Sequence, residues 1–159
     1  MTSRLAAIRV AGLPTNGKEL DQWYAAVPDR DNAALVLTQA FALRRNYPDN
    51  RSRAVWDFKL PKRRQSLTPE QTELLSAYVE MSSAALAQAN EALKLPASRY
   101  PRDLSLCALT PLPHLAWLRD LAVQNQYRAA LTIQAGNNEE ASAAIEAMLG
   151  LARTLENEP

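Results

Sequence analysis

Apolar side chains recur at three- and four-residue steps along much of this chain, and two-residue alternation is confined to one short piece without a partner strand. That periodicity is the signature of helix. The longest run is Leu74, Leu75, Tyr78, Met81, Ala85, Leu86, Ala89 and Leu93. Its start is marked by Thr68 as N-cap, Pro69 at the first helical position and Gln71 to close a capping box. Pro96 stops it, so the spacing predicts one helix of roughly 36–40 Å at 1.5 Å per residue. A second signal covers 112–156. Leu115, Leu118, Ala122, Ala129 and Ile133 form one stripe; Ala141, Ala144, Ile145, Met148, Leu149, Ala152 and Leu155 form another. Between them stands Gly136-Asn137-Asn138-Glu139-Glu140. Glycine reaches the left-handed backbone that ends a helix, Asn137 caps the next one, and Glu140 can reach back to the cap. So short a turn predicts an antiparallel helical hairpin.

The N-terminal part carries shorter patterns. Residues 3–11 predict a helix ended by Gly12 and Pro14. Asn16 with Glu19 repeats the cap pattern before Leu20, Trp23 and Tyr24, the last two expected as core or staple residues. Val27-Pro28-Asp29 is a turn. Asp29 or Asp31 is the expected cap of a helix reaching about Tyr47, with Ala34, Leu37, Thr38, Phe41 and the stem of Arg45 on its inner face. Residues 51–67 predict a loop pinned by Trp56. Prolines 96, 101, 111 and 113 stiffen a crossover into the hairpin, with Thr110 as its cap and Pro111 or Pro113 in the first turn. The reading is all-α: a helical bundle or short α-solenoid-like array of about five or six helices, organised as a single domain over 1–159. The chain stops directly after a helix, which suggests a piece of something longer.

Composition narrows the chemistry. The chain has 18 Lys and Arg against 17 Asp and Glu, a formal charge of +1. Near-neutrality gives no global signal for nucleic acid or membrane. A single cysteine, Cys107, excludes an internal disulfide and a multi-cysteine metal site; lying in an apolar run, it reads as a small buried hydrophobe. His114 is the one histidine, which removes most zinc sites and two-histidine catalysis. Gly-rich phosphate loops, zinc spacings and hydrolase elbows are missing from the sequence. No metal site and no cofactor are expected, and no apolar run is long enough to span a bilayer.

Three residue groups remain as candidates. Arg44, Arg45, Arg51, Arg53, Lys59, Lys62, Arg63 and Arg64 face only Asp49 and Asp57 within the same stretch. With Trp56 and Phe58 interleaved, they could grip an anionic polymer by charge and stacking; the alternative is a solvated loop whose arginines pair with Glu139, Glu140 or Glu146. Arg99, Tyr100 and Asp103 form either a polar knot holding the crossover or the lining of a groove. His114 could serve as a general base oriented by Asp103 or Asp120, or with Tyr100, or be a structural histidine.

Two resemblances follow from these landmarks. Trp23-Tyr24-Ala25-Ala26-Val27-Pro28-Asp29 followed by Asn32-Ala33-Ala34, then Arg99-Tyr100-Pro101 with Asp103-Leu104, and Leu112-Pro113-His114-Leu115, are similar to segments of a family of uncharacterised bacterial all-helical proteins. That resemblance implies a cell-envelope setting and a longer parent chain. The stretch from Gly136 through Met148-Leu149 is similar to the second half of a tetratricopeptide repeat. Asn125 and Arg128 depart from it where the repeat has tryptophan and leucine. The expected function is a non-enzymatic scaffold or protein-interaction module, with the groove between the hairpin and the 69–95 helix receiving a partner helix or peptide. Alternatives are nucleic-acid or anionic-polymer binding through 44–64, and an enzyme using His114.

Overall fold

In the computed structural model, Thr68 accepts from the backbone N–H of Gln71 at 3.3 Å while the Gln71 side chain accepts from the Thr68 N–H at 2.9 Å. Both halves of the expected capping box are present, and a helix starts at Pro69 as read. The structure describes residues 2–44, 54–62 and 65–158. Its helices are α1 (Thr2–Val10), α2 (Gly17–Trp23), α3 (Ala33–Ala42), α4 (Pro69–Met81), α5 (Ser83–Ala92), α6 (Pro113–Gln134) and α7 (Asn138–Arg153), with 3-10 turns at Asp29–Asp31 and Leu104–Leu109. Residues 54–56 add one helical turn. The architecture is all-α. Among the described residues the nearest thing to a sheet is one isolated bridge between Asn32 and Ala97.

The long helix read over 69–93 is two helices. Ser82 interrupts it with φ −97° and ψ 2°, and its hydroxyl donates to the Tyr78 carbonyl at 3.1 Å. A serine bonding back one turn bends a helix. The break gives each half its own neighbour: α4 packs along α6, and α5 packs along α3. Periodicity missed it because the apolar stripe runs unbroken through the bend.

Two buried clusters result. One is rich in alanine: Ala33, Ala34, Leu37, Ala40 and Phe41 of α3 meet Ala85, Leu86, Ala89 and Ala92 of α5, with Leu118, Leu121 and Leu151 from the hairpin. The other is rich in tyrosine: Leu75 and Tyr78 of α4 and Tyr127 of α6 close over Val55 and Leu67.

The hairpin forms as predicted. Gly136 has φ +79°, Asn137 accepts from the Glu140 N–H at 3.1 Å, and Glu140 pairs with Arg128 across the two helices at 2.7 Å. Which faces turn inward differs from the expectation. In α7 the buried positions are Ala141, Ala144, Ala147 and Leu151; Ile145 and Leu149 are 44% and 57% exposed. The physical reason is closeness of approach: the two hairpin helices make the most extensive helix–helix contact among the described residues, and alanines on the inward stripe permit it. Gly150 meets the Leu93 side chain, where a Cβ would stand at 2.9 Å. In α6 neighbours on several sides bury His114, Leu118, Asp120, Leu121, Gln124, Asn125 and Tyr127, and Leu115 and Ile133 are exposed.

Other expectations change in detail. Asn32, rather than Asp29 or Asp31, caps α3 through the Ala34 N–H, because the two aspartates lie within the 3-10 turn. That helix ends at Ala42, Thr38 is exposed, and Arg45 lies outside the described residues. Tyr24 is buried but Trp23 is 55% exposed. Segment 54–62 is pinned by fully buried Val55 rather than by half-exposed Trp56; the Tyr127 hydroxyl donates to the Val55 carbonyl at 2.9 Å. Pro113 opens α6, and Thr110 bonds the Asp103 carbonyl instead of capping.

Candidate functional site

Arg99 and Tyr100 occupy the centre of a polar knot that holds the crossover to both ends of the chain. Asn32 is its hinge. While capping α3, it accepts from the Arg99 N–H at 2.9 Å and donates to the Arg99 carbonyl at 3.0 Å. The Arg99 guanidinium lies 4.6 Å above the Tyr24 ring, donates to the Tyr24 carbonyl at 2.7 Å and pairs with Asp21 at 2.8 Å. A guanidinium over an aromatic face gains from the ring quadrupole. The opposite wall is Glu158. Its carboxylate accepts from the Tyr24 hydroxyl, pairs with Arg102 at 2.5 Å and takes the Tyr100 N–H at 3.4 Å. Tyr100 also bonds Thr154 through its hydroxyl at 2.9 Å.

His114 stacks flat on Tyr100, with ring centroids 4.3 Å apart. Burial pushes its pKa below the ordinary histidine value, although the Glu158 charge pulls the other way. Burial likewise raises the Tyr24 hydroxyl, and it raises Tyr100 to about 12. Neither carboxylate considered as its orienter pairs with His114. Hydrogen bonds from the Ser105 hydroxyl and from the Ser105 N–H, the latter at 2.9 Å, lower the Asp103 pKa. Asp120 pairs with Arg44 at 2.5 Å; burial raises its pKa against the pull of that arginine. The structure therefore brings Arg99, Tyr100 and His114 together and leaves Asp103 in its own exposed turn. Sequence reasoning gave Glu158, Asn32, Thr154 and Arg102 no part in the knot. Glu158 lies 134 residues from Tyr24, and no local pattern announces such a pairing.

The basic stretch is divided. Arg44 is bound to Asp120. Lys59 and Lys62 are exposed. Arg45, Arg51, Arg53, Arg63 and Arg64 lie outside the described residues, as does the side chain of Cys107. Phe58 is engaged edge-on with Tyr127 at 5.8 Å between centroids. Glu140, considered above as a partner for these arginines, pairs with Arg128.

A groove of about 510 Å³ opens where the α4–α5 bend faces the hairpin; another cavity, of about 450 Å³, is lined by Val27, Asn32, Arg99, Tyr100 and Arg102 of the knot. Val79, Leu86 and Leu131 supply the groove's apolar surface, Ser83 and Ala87 its rim, and the Arg128–Glu140 pair its far edge. Its size falls within the roughly 300–1,000 Å³ of ordinary binding clefts. Glu80 lines the same groove and has no ion-pair partner among the described residues. The groove lies beside the break at Ser82, where α4 packs along α6 and α5 packs chiefly along α3.

No family model matches this chain, nor does any curated protein or solved structure. The fold defines an all-helical domain with a polar knot at the crossover and a groove at a helix bend. No helix among the described residues is long and apolar enough to cross a membrane.

Proposed function

We propose that the protein is a helical interaction module that receives an amphipathic partner helix in the groove between the α4–α5 bend and the hairpin. The observation that carries this reading is the groove itself, open between the α4–α5 bend and the hairpin. Its chemistry suits such an occupant. Val79 and Leu131 offer seats for apolar anchors spaced three or four residues apart. The Glu80 carboxylate, without an ion-pair partner among the described residues, asks for a cation beside them, and the Arg128–Glu140 pair offers a polar contact at the edge. The repeat-like hairpin fits the same role, since stacked helical hairpins commonly present concave surfaces to partners.

The test is selection of helical peptides from a displayed library on the wild-type full chain, followed by measurement of the recovered peptides on Ser83→Arg and Ala87→Trp variants. Both positions are exposed on the rim, so the substitutions obstruct the groove without entering the core. The expected result is a peptide family with paired apolar anchors and a neighbouring Lys or Arg. Its binding should fall at least tenfold in either variant and weaken with Glu80→Gln. Peptides that bind wild type and blocked variants equally would overturn the assignment.

A further inference from the structure

Two helix faces at opposite ends of the chain lack a cover, and each supplies what the other needs. The first is α1. Every side chain described in it, Arg4 to Val10, is exposed, and Leu5, Ile8 and Val10 are among them. A nine-residue helix is too short to be stable on its own in water, where the marginal length is about 12–15 residues. Packing must supply what propensity does not. Residues 1–18 contain Arg4, Arg9 and Lys18 and no acid. Arg9 reaches Glu19 at 3.4 Å; Arg4 and Lys18 have no ion-pair partner among the described residues.

The second face is the outward stripe of α7. Ser142, Ile145, Leu149 and Ala152 lie on one side of the helix, all exposed. Glu139, Glu146 and Glu156 border it against the single cation Arg153, and none of the three carboxylates has an ion-pair partner among the described residues. This face is apolar at its centre and acidic at its margin, while α1 is apolar at its centre and basic at its margin. Their lengths agree as well: α1 spans about 13 Å and the stripe from Ile145 to Ala152 about 10 Å.

We infer that the chain associates with a second copy of itself, with α1 of one copy lying on the Ile145–Leu149 face of α7 of the other. The contact is heterologous, joining unlike surfaces, so it closes as a reciprocal pair or extends head to tail. It does not use the groove and stands apart from the partner-helix reading. Opposite charges around an apolar centre favour this occupant over an anionic lipid surface. A lipid surface would account for α1 and leave the acidic α7 face uncovered.

Sedimentation velocity of the full chain tests this. Wild type should show concentration-dependent association that weakens as salt rises, because the marginal charges are exposed. Leu5→Glu with Ile8→Glu should abolish association, and so should Ile145→Glu with Leu149→Glu; all four positions are exposed, and circular dichroism should show both proteins folded. Mixing the two variants is decisive. Each keeps the half the other lacks, so the mixture should regain a species of twice the monomer mass and nothing larger. A wild type that stays monomeric at every concentration would overturn the inference. So would variants that do not recombine on mixing, or a monomer whose α1 binds phosphatidylserine vesicles instead.

Discussion

The alanine-rich and tyrosine-rich clusters are served by consecutive halves of one helical run, yet they are held by different physics. Around α3 and α5 the core is built from Ala33, Ala34, Ala40, Ala85, Ala89 and Ala92 closing on Leu37 and Leu121. Small side chains permit close axes and leave little that can move. Around α4 and α6, Tyr78 and Tyr127 meet edge-on at 6.1 Å, and the Tyr127 hydroxyl ties a neighbouring segment by its backbone. There the large rings fill space and hydrogen bonds fix the path. One cluster takes its specificity from fit, the other from directed polar contacts set among apolar ones.

The largest expected difference concerns cavities. Leu37 and Leu75 are both fully buried, and Leu→Ala at either should cost about 2–5 kcal/mol. Leu37→Ala should fall at the high end, because alanine neighbours cannot reach into the void. Leu75→Ala should fall at the low end, because Met81 and the tyrosines can relax toward it. Urea unfolding of both variants measures this, and the reverse order would refute the contrast.

Directed contacts should show next. Tyr127→Phe leaves the ring in place and removes the bond to the Val55 carbonyl. A buried acceptor left without its donor costs about 1–3 kcal/mol, and amide exchange in segment 54–58 should quicken while α3 and α5 are unaffected. Uniform quickening across both clusters would mean that they unfold as one unit.

Titration separates the clusters from the knot. The His114 pKa is depressed by burial, so the unfolded chain takes up its proton first as pH falls. Stability should be full above about pH 6.5 and decline below it toward the lower folded value. His114 is the sole histidine, so His114→Gln should flatten the slope in that window. On the alkaline side Tyr78, Tyr100 and Tyr127 all have raised values. The unfolded chain loses those protons first, and stability should fall as pH rises above about 10. A stability curve level on both sides would contradict the buried placement of these rings.

The smallest effect should be at Asn125. It is 1% exposed, its amide donates only to the Leu121 carbonyl one turn back, and its oxygen accepts nothing from the described residues. Asn125→Leu should be neutral or stabilising by about 1 kcal/mol; a loss of several would reveal a partner for that oxygen.

What could be read in advance was whatever is encoded locally. The Thr68–Pro69–Gln71 start, Gly136, and the Asn16 and Asn137 caps depend on residues three or four positions apart, and each was legible. The inward face of α7 was not, because hydrophobicity favoured Ile145 and Leu149 whereas close packing within the hairpin favoured alanine. That closeness belongs to the assembled fold. The bend at Ser82 was hidden for a related reason: serine is tolerated in a straight helix until neighbours on two sides demand different directions. The knot was half visible. Arg99, Tyr100 and His114 drew notice through their proline-rich setting, while Glu158 and Asn32 joined the knot only where distant segments met.

The division into two clusters falls at the break at Ser82, with the groove beside it, and the geometry of that break can be measured directly. Spin labels at exposed Glu73 and Glu91, in a chain carrying Cys107→Ser, would report the span across the break by pulsed dipolar spectroscopy. A continuous helix would separate those backbone positions by about 27 Å. A distance distribution centred below that value is expected; one centred at or above about 27 Å would mean a straight rod, without the break at Ser82.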